Sequence, residues 1–285
     1  MAARTAGGRA DGAGAVTDAA RDAELAALRR DLAEEQRSLD EVVTACDASQ
    51  WARPTPSPGW TVADQIGHLA YFDAAATRAL VDPDGFVTDA GELYRAAQAE
   101  GVDAFTLGAF RALSTDAQLA AWRRARTRLL AAAATLDRAT RVPWYGPSMG
   151  ALSFLRARLM ETWAHGVDVA DALGVTREPT DRLRHVAELG DRTRDWSYRV
   201  RGEEPPPGRV GLDLRAPSGT TWTWGDDADE VITGPAEDFC LVVTQRRHVD
   251  DTALVVGDLG RHWLERAQAF AGPPTRGPSP RRHRG

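Results

Sequence analysis

The sequence reads as a mainly α protein, an up-and-down four-helix bundle over residues 22–200 followed by a small α+β domain over 201–271. Two observations predict this. Through the first 200 residues, apolar positions recur at helical spacing, and the segments are separated by short Pro/Gly breaks that suit antiparallel neighbours. After Glu203-Glu-Pro-Pro-Pro-Gly208 the pattern changes to short alternating runs, as half-buried strands require.

The elements follow in order. Leu25, Leu28, Leu32, Leu39, Val42 and Val43 mark one amphipathic helix over 22–48. Residues 51–60 (WARPTPSPGW) carry three prolines and read as a loop. Thr61 with Asp64 three positions on forms a capping-box signal for a helix that Asp82-Pro83-Asp84-Gly85 ends near Val81. Residues 91–113 read as helix with a break near Gly101, and Thr115 with Gln118 opens another helix to about Leu136. Residues 141–150 read as a loop, 151–173 as a long helix stopped by Gly174, and 180–200 as a further helix. Strands are expected at 209–215, 221–224, 230–233 and 254–256, with helices from Gly234-Pro235 to about Arg247 and from Asp258 to Phe270. The Ala/Gly/Arg-rich residues 1–21 and the Pro/Arg-rich residues 272–285 read as disordered tails.

Composition narrows the chemistry. There are 35 cationic residues against 41 acidic ones, a net charge of −6, and every one of the cations is arginine. Arginine stays protonated and makes no Schiff base. Its monopoly excludes lysine-anchored pyridoxal-phosphate enzymes, lysine aldolases, the phosphate-binding P-loop and Ser-Lys hydrolases. The two cysteines, Cys46 and Cys240, are too far apart for a CxxC pair and too few for a cysteine zinc knot. Their scarcity suits a reducing cytoplasm. The mild acidity gives no reason to expect nucleic-acid or membrane partners, and no run reaches the length of a membrane span or of a signal-peptide core. No apolar stripe marks an oligomer interface.

Of six histidines, two stand out. Glu161 and His165 are four residues apart on one predicted helix and so share a face. Together with His68 of the second long helix they would make a His₂Glu set, and three protein donors leave a metal position open for water or substrate. Nitrogen and carboxylate donors suit zinc, with Ni²⁺ or Fe²⁺ as alternatives. The same residues also fit a surface ion pair and a core histidine beside Ile66 and Leu69. Asp64 and Asp168 are candidates to orient the metal-bound rings, against helix capping for Asp64 and a solvated position for Asp168. Trp144 and Tyr145, in the loop before the Glu161 helix, and Arg158 are candidates for holding a cofactor or an anionic substrate, as is Arg156. The Gly146-Pro-Ser148-Met-Gly150 match to a nucleophile elbow lacks the strand–helix setting that motif needs.

Residues 58–70 (PGWTVADQIGHLA) resemble the motif that opens the second helix of the DinB-like metal-binding bundles, most closely the mycothiol-dependent maleylpyruvate isomerase branch. The Glu-x-x-x-His form at Glu161 and His165 resembles that branch too, and 233–247 resembles its small C-terminal domain. The resemblance covers about residues 22–271. It implies a divalent metal on His68, Glu161 and His165, with mycothiol as thiol cosubstrate and a small electrophile as substrate. Residues 141–147 and 239–247 point more narrowly to an actinobacterial metal-binding subfamily of unassigned activity. The implied activity is an isomerase or S-transferase. The alternatives are a non-catalytic metal-binding stress or regulatory module and a metal-dependent hydrolase.

Overall fold

The computed structural model of the chain describes residues 11–281. Its helical part comprises α1 (Asp11–Thr44), the single turn α2 (Ala48–Trp51), α3 (Val62–Val81), α4 (Pro83–Glu100), α5 (Val102–Arg111), α6 (Thr115–Ala133), α7 (Ala151–Leu173), α8 (Leu183–Arg192) and α9 (Arg194–Arg199). The four long helices α1, α3, α6 and α7 form the bundle, with α3 packed mainly on α6 and α1 on α7. No helix among the described residues is long and apolar enough to cross a membrane.

The structure differs from the sequence reading at several boundaries. Helix α1 begins at Asp11, inside the stretch expected to be a tail, while residues 1–10 lie outside the described residues. Asp82 both ends α3 and starts α4. Its side chain accepts the Gly85 N–H, and Pro83 sits at the first helical position, where a missing N–H costs nothing. Ser114, not Thr115, caps α6. The helix expected over 180–200 is two, α8 and α9, divided at Thr193, whose hydroxyl donates back to the Leu189 and Gly190 carbonyls. Residues 141–150, expected as a loop, are an antiparallel hairpin of β1 (Arg141–Trp144) and β2 (Gly146–Gly150). Its register shifts between Val142 and Trp144, at Pro143, which has no N–H for a ladder.

The small domain pairs β3 (Val210–Arg215) antiparallel with β4 (Thr221–Trp224) and parallel with β5 (Glu230–Pro235). Residues 254–256 contribute only one bridge, between Thr233 and Val255. Helix α10 (Ala236–Val243) stops short of Arg247 because Gln245 turns to φ 60° and the Arg246 N–H bonds back to the Leu241 carbonyl, a helix-ending geometry. Helix α11 (Asp258–Leu264) likewise ends before Phe270. The C-terminal residues up to 281 lie against this domain. Thr275 donates to Gln245 and Gln268, and the Arg281 N–H reaches Asp251. Residues 282–285, with most of the expected basic run, lie outside the described residues.

One apolar cluster runs from the bundle into the small domain, joining Leu28, Leu155, Leu183, Leu212, Phe239 and Trp263. A second fills the other end of the bundle with Leu39, Ile66, Leu69, Trp122 and Val169. Polar side chains stand where the clusters part. Asp73 of α3 is fully buried and accepts from Arg158 of α7 at 2.8 Å, from Trp122 Nε1 at 3.3 Å and from Gln36 at 3.3 Å. The charges are matched, so the layer is tolerated, but removing one partner strands the other in an apolar interior. Urea unfolding should show Arg158→Leu less stable by about 3–5 kcal/mol, with most of that recovered in the double variant Asp73→Leu/Arg158→Leu. Equal losses in both would contradict the stranded-charge account.

Candidate metal centre

The start of α3 is fixed by its cap. Thr61 Oγ1 accepts the Asp64 N–H, and the Asp64 carboxylate accepts the Thr61 N–H at 2.9 Å. Asp64 also takes Arg111 of α5 at 2.7 Å, so its oxygens serve the helix start and α5 rather than His68. One turn further on, His68 faces α7. Its Nε2 lies 3.4 Å from Glu161 Oε2, and His165 Nε2 lies 3.1 Å from the same oxygen. The donor atoms of His68, Glu161 and His165 all fall within 4.8 Å of one another. Donors around a tetrahedral zinc, bonded at about 2.0–2.2 Å, stand ~3.3–3.5 Å apart, and the two spacings from Glu161 to the histidines are close to that range.

Gln65 supplies the orienting partner. Its Oε1 accepts from His165 Nδ1 at 2.5 Å. With that proton on Nδ1, Nε2 turns its lone pair to the Glu161 carboxylate, and two acceptors so close require a metal ion or a proton between them. Burial pushes the Glu161 carboxyl up, but in the metal-free protein, where a proton takes the metal's place between them, hydrogen bonds from His165 and His68 outweigh it and hold it well below the usual range. Burial first, and then the neighbouring His165, push His68 down to about 4, so its ring is neutral and ligand-competent at neutral pH.

Aromatic rings brace the pair. Trp60 stacks on His165 with centroids 5.9 Å apart, and its Nε1 donates to Asp103 of α5 at 2.7 Å. Phe72 lies 4.5 Å from His68. The glycines beside the two histidines allow close packing. A Cβ on Gly67 would meet Phe110 at 3.1 Å, and one on Gly166 would collide with Arg177 Nη1. That arginine pairs with buried Glu35 of α1 at 2.6 Å.

The other candidates are placed as follows. Asp168 is buried and accepts from Ser57 at 3.0 Å and Arg246 at 2.9 Å, tying the 51–60 loop and the small domain to α7 rather than orienting His165. Trp144 stacks on Phe86 at 5.4 Å, while Tyr145 meets Phe72 at 5.6 Å, which brings the hairpin beside His68. Arg158 is held by Asp73, and Arg156 is buried against Glu24 and Glu188. Ser148 sits in the exposed hairpin, where its hydroxyl takes hydrogen bonds from the Arg141 guanidinium rather than from a histidine. His185 pairs with Asp31, His248 with Asp250 and His262 with Tyr198, away from the three donors. His283 lies outside the described residues. Gln65, Trp60 and Phe72 escaped the sequence reading. Gln65 and Trp60 sit inside the 58–70 motif, but an uncharged amide or a ring carries no signal of its own.

The family model described as "Mycothiol maleylpyruvate isomerase N-terminal domain" matches residues 32–170, the stretch holding all three donors. Two proteins of Mycobacterium tuberculosis, both named as uncharacterized and from strains CDC 1551 / Oshkosh and ATCC 25618 / H37Rv, are 47% identical over 253 residues. The match covers 87% of this chain and 96% of each relative. The chain belongs to the mycothiol maleylpyruvate isomerase N-terminal domain family. Two crystal structures of the mycothiol-dependent maleylpyruvate isomerase, one of them a histidine-to-alanine mutant, superpose with a TM-score of 0.54 at 20% and 19% identity. They cover 82% of this chain and 94% of their own, so this family member shares their fold through the small domain as well.

The depressed His68 pKa gives a pH signature in the metal-free protein. The unfolded chain takes up this proton near 6.5 and the folded one only near 4, so stability falls as pH drops through that window, by on the order of 3 kcal/mol. Glu161, lowered on folding, adds a further loss below its unfolded value of 4.5. Urea midpoints from pH 7 to pH 4 (chosen to span the shift) should fall less steeply in His68→Asn. Parallel slopes would contradict the burial of a neutral His68.

Proposed function

We propose that His68, Glu161 and His165 hold a divalent metal, zinc first, and that the protein uses it with mycothiol in an isomerase or S-transferase reaction on a small electrophile. The observation that carries this is the donor set itself. Three donors converge from α3 and α7, and no fourth His, Cys, Asp or Glu joins them among the described residues. Bound there, the metal would act as a Lewis acid and lower the pKa of a thiol or water in its open position.

The chain's own part is to present and exclude. Gln65 fixes the His165 proton on the far nitrogen, Trp60 covers the His165 ring, and Phe72 covers His68. No protein sulfur competes. Cys46 lies just past the end of α1, bonded to the Val42 carbonyl, and Cys240 is buried in the small domain against Leu183, with its thiol pushed well up by burial. A thiol reagent must therefore come from outside, and the family is named for mycothiol.

Purified protein should carry about one zinc per chain, lost in His68→Ala and in His165→Ala. Gln65→Leu should bind zinc about 10–100-fold more weakly while remaining folded. In cobalt-substituted protein, added mycothiol should produce a thiolate-to-cobalt charge-transfer band. Stoichiometric metal with no such band would leave a metal protein without thiol chemistry, and unchanged metal in both histidine variants would sink the donor assignment.

A further inference from the structure

A run of aromatic rings leads from the metal donors to the surface, and the donor set does not account for it. Phe72, over His68, is 5.6 Å from Tyr145 of the hairpin and 5.0 Å from Tyr71. Tyr71 in turn meets Phe105 of α5 edge-on at 6.3 Å. Phe105 is 40% exposed, while Tyr71, Phe72 and Tyr145 are half-buried. Solvent also reaches His68 and Glu161, whose side chains are 17% and 22% exposed. The rings and the open donors thus form one continuous, partly accessible wall.

Four arginines on the helices and the small domain around this wall are already matched. Arg158 is bound to Asp73, Arg111 to Asp64 and Arg246 to Asp168. Arg78, further along α3, is bound to Asp82 and Asp89. Burial pushes the Tyr71 and Tyr145 hydroxyls up and keeps both protonated. A dicarboxylate entering here would shed water and find these four guanidiniums taken, a desolvation cost that they do not offset. A flat, uncharged molecule loses little hydration and gains ring–ring contact with Phe72, Tyr145 and Phe105.

We propose that Tyr71, Phe72, Phe105 and Tyr145 form the substrate subsite and that it selects uncharged, planar α,β-unsaturated carbonyl compounds over dicarboxylates. Such conjugated carbonyls are the planar molecules that thiolates attack. The proposal rests on the preceding reading of the metal centre as the place where the thiol reacts.

Two isosteric probes isolate the charge, para-methylsulfonyl cinnamamide, which is neutral, and para-sulfonato cinnamamide, which is an anion with a poor metal-binding group. Their affinities for the zinc-loaded protein are read from quenching of tryptophan fluorescence. The neutral probe should bind at least about tenfold more tightly. Phe105→Ala, a change at an exposed ring, should weaken the neutral probe by about fivefold or more and leave the zinc content unchanged. Equal affinity of the two probes, preference for the anion, or an unaltered affinity in Phe105→Ala overturns the subsite. The cobalt–thiol band reports separately on the metal centre. Its absence with the neutral preference intact faults the thiol chemistry alone, and its presence without that preference faults the aromatic subsite alone.

Discussion

The buried Asp73–Arg158 pair is the constraint on which the rest of the bundle turns. It joins α3 to α7 at the level where the two apolar clusters part, and Trp122 and Gln36 complete its hydrogen bonds from α6 and α1. All four long helices therefore meet at one polar point. An unmatched charge there is costly, so the register of α3 against α7 is set by where Asp73 and Arg158 can meet. Arg158 lies three residues before Glu161, and Asp73 five after His68. The pair that fixes the register thus also sets the spacing of the donors. The chain's all-arginine cation set suits this use, because a guanidinium stays charged when buried.

Around that centre the smaller elements each hold one side of the donor set. The cap at Thr61 and Asp64 sets the start of α3, and Gly67 and Gly166 let neighbouring groups pack close beside His68 and His165. The small domain is tied to the same region by Arg246 on Asp168, and the apolar cluster continues into it without a gap. It is a buttress of the bundle rather than a separate appendage.

Much of this is legible in the sequence. The long helices announce themselves by apolar periodicity, and the four-residue spacing of Glu161 and His165 is enough to put both on one face. What the sequence hides is tertiary. Arg158, one turn before Glu161, is a candidate for an anionic substrate by position, and its pairing with a carboxylate 85 residues away leaves no trace in the sequence. Asp168 reads as a solvated helix position until Ser57 and Arg246 close over it. The 141–150 hairpin escapes because its strands are short, Pro143 interrupts the ladder, and no alternation survives. The orienting role of Gln65 is invisible for a plainer reason, since an amide at that position gains meaning only when His165, 100 residues on, is brought against it.

X-ray absorption at the zinc edge tests the central claim most directly. The zinc-loaded protein should show only nitrogen and oxygen neighbours at about 2.0–2.2 Å, including imidazole scattering, and a sulfur neighbour at about 2.3 Å should appear when mycothiol is added. A sulfur neighbour before any thiol is added, or imidazole scattering that persists unchanged in the His68→Ala/His165→Ala double variant, would contradict a metal held by His68, Glu161 and His165.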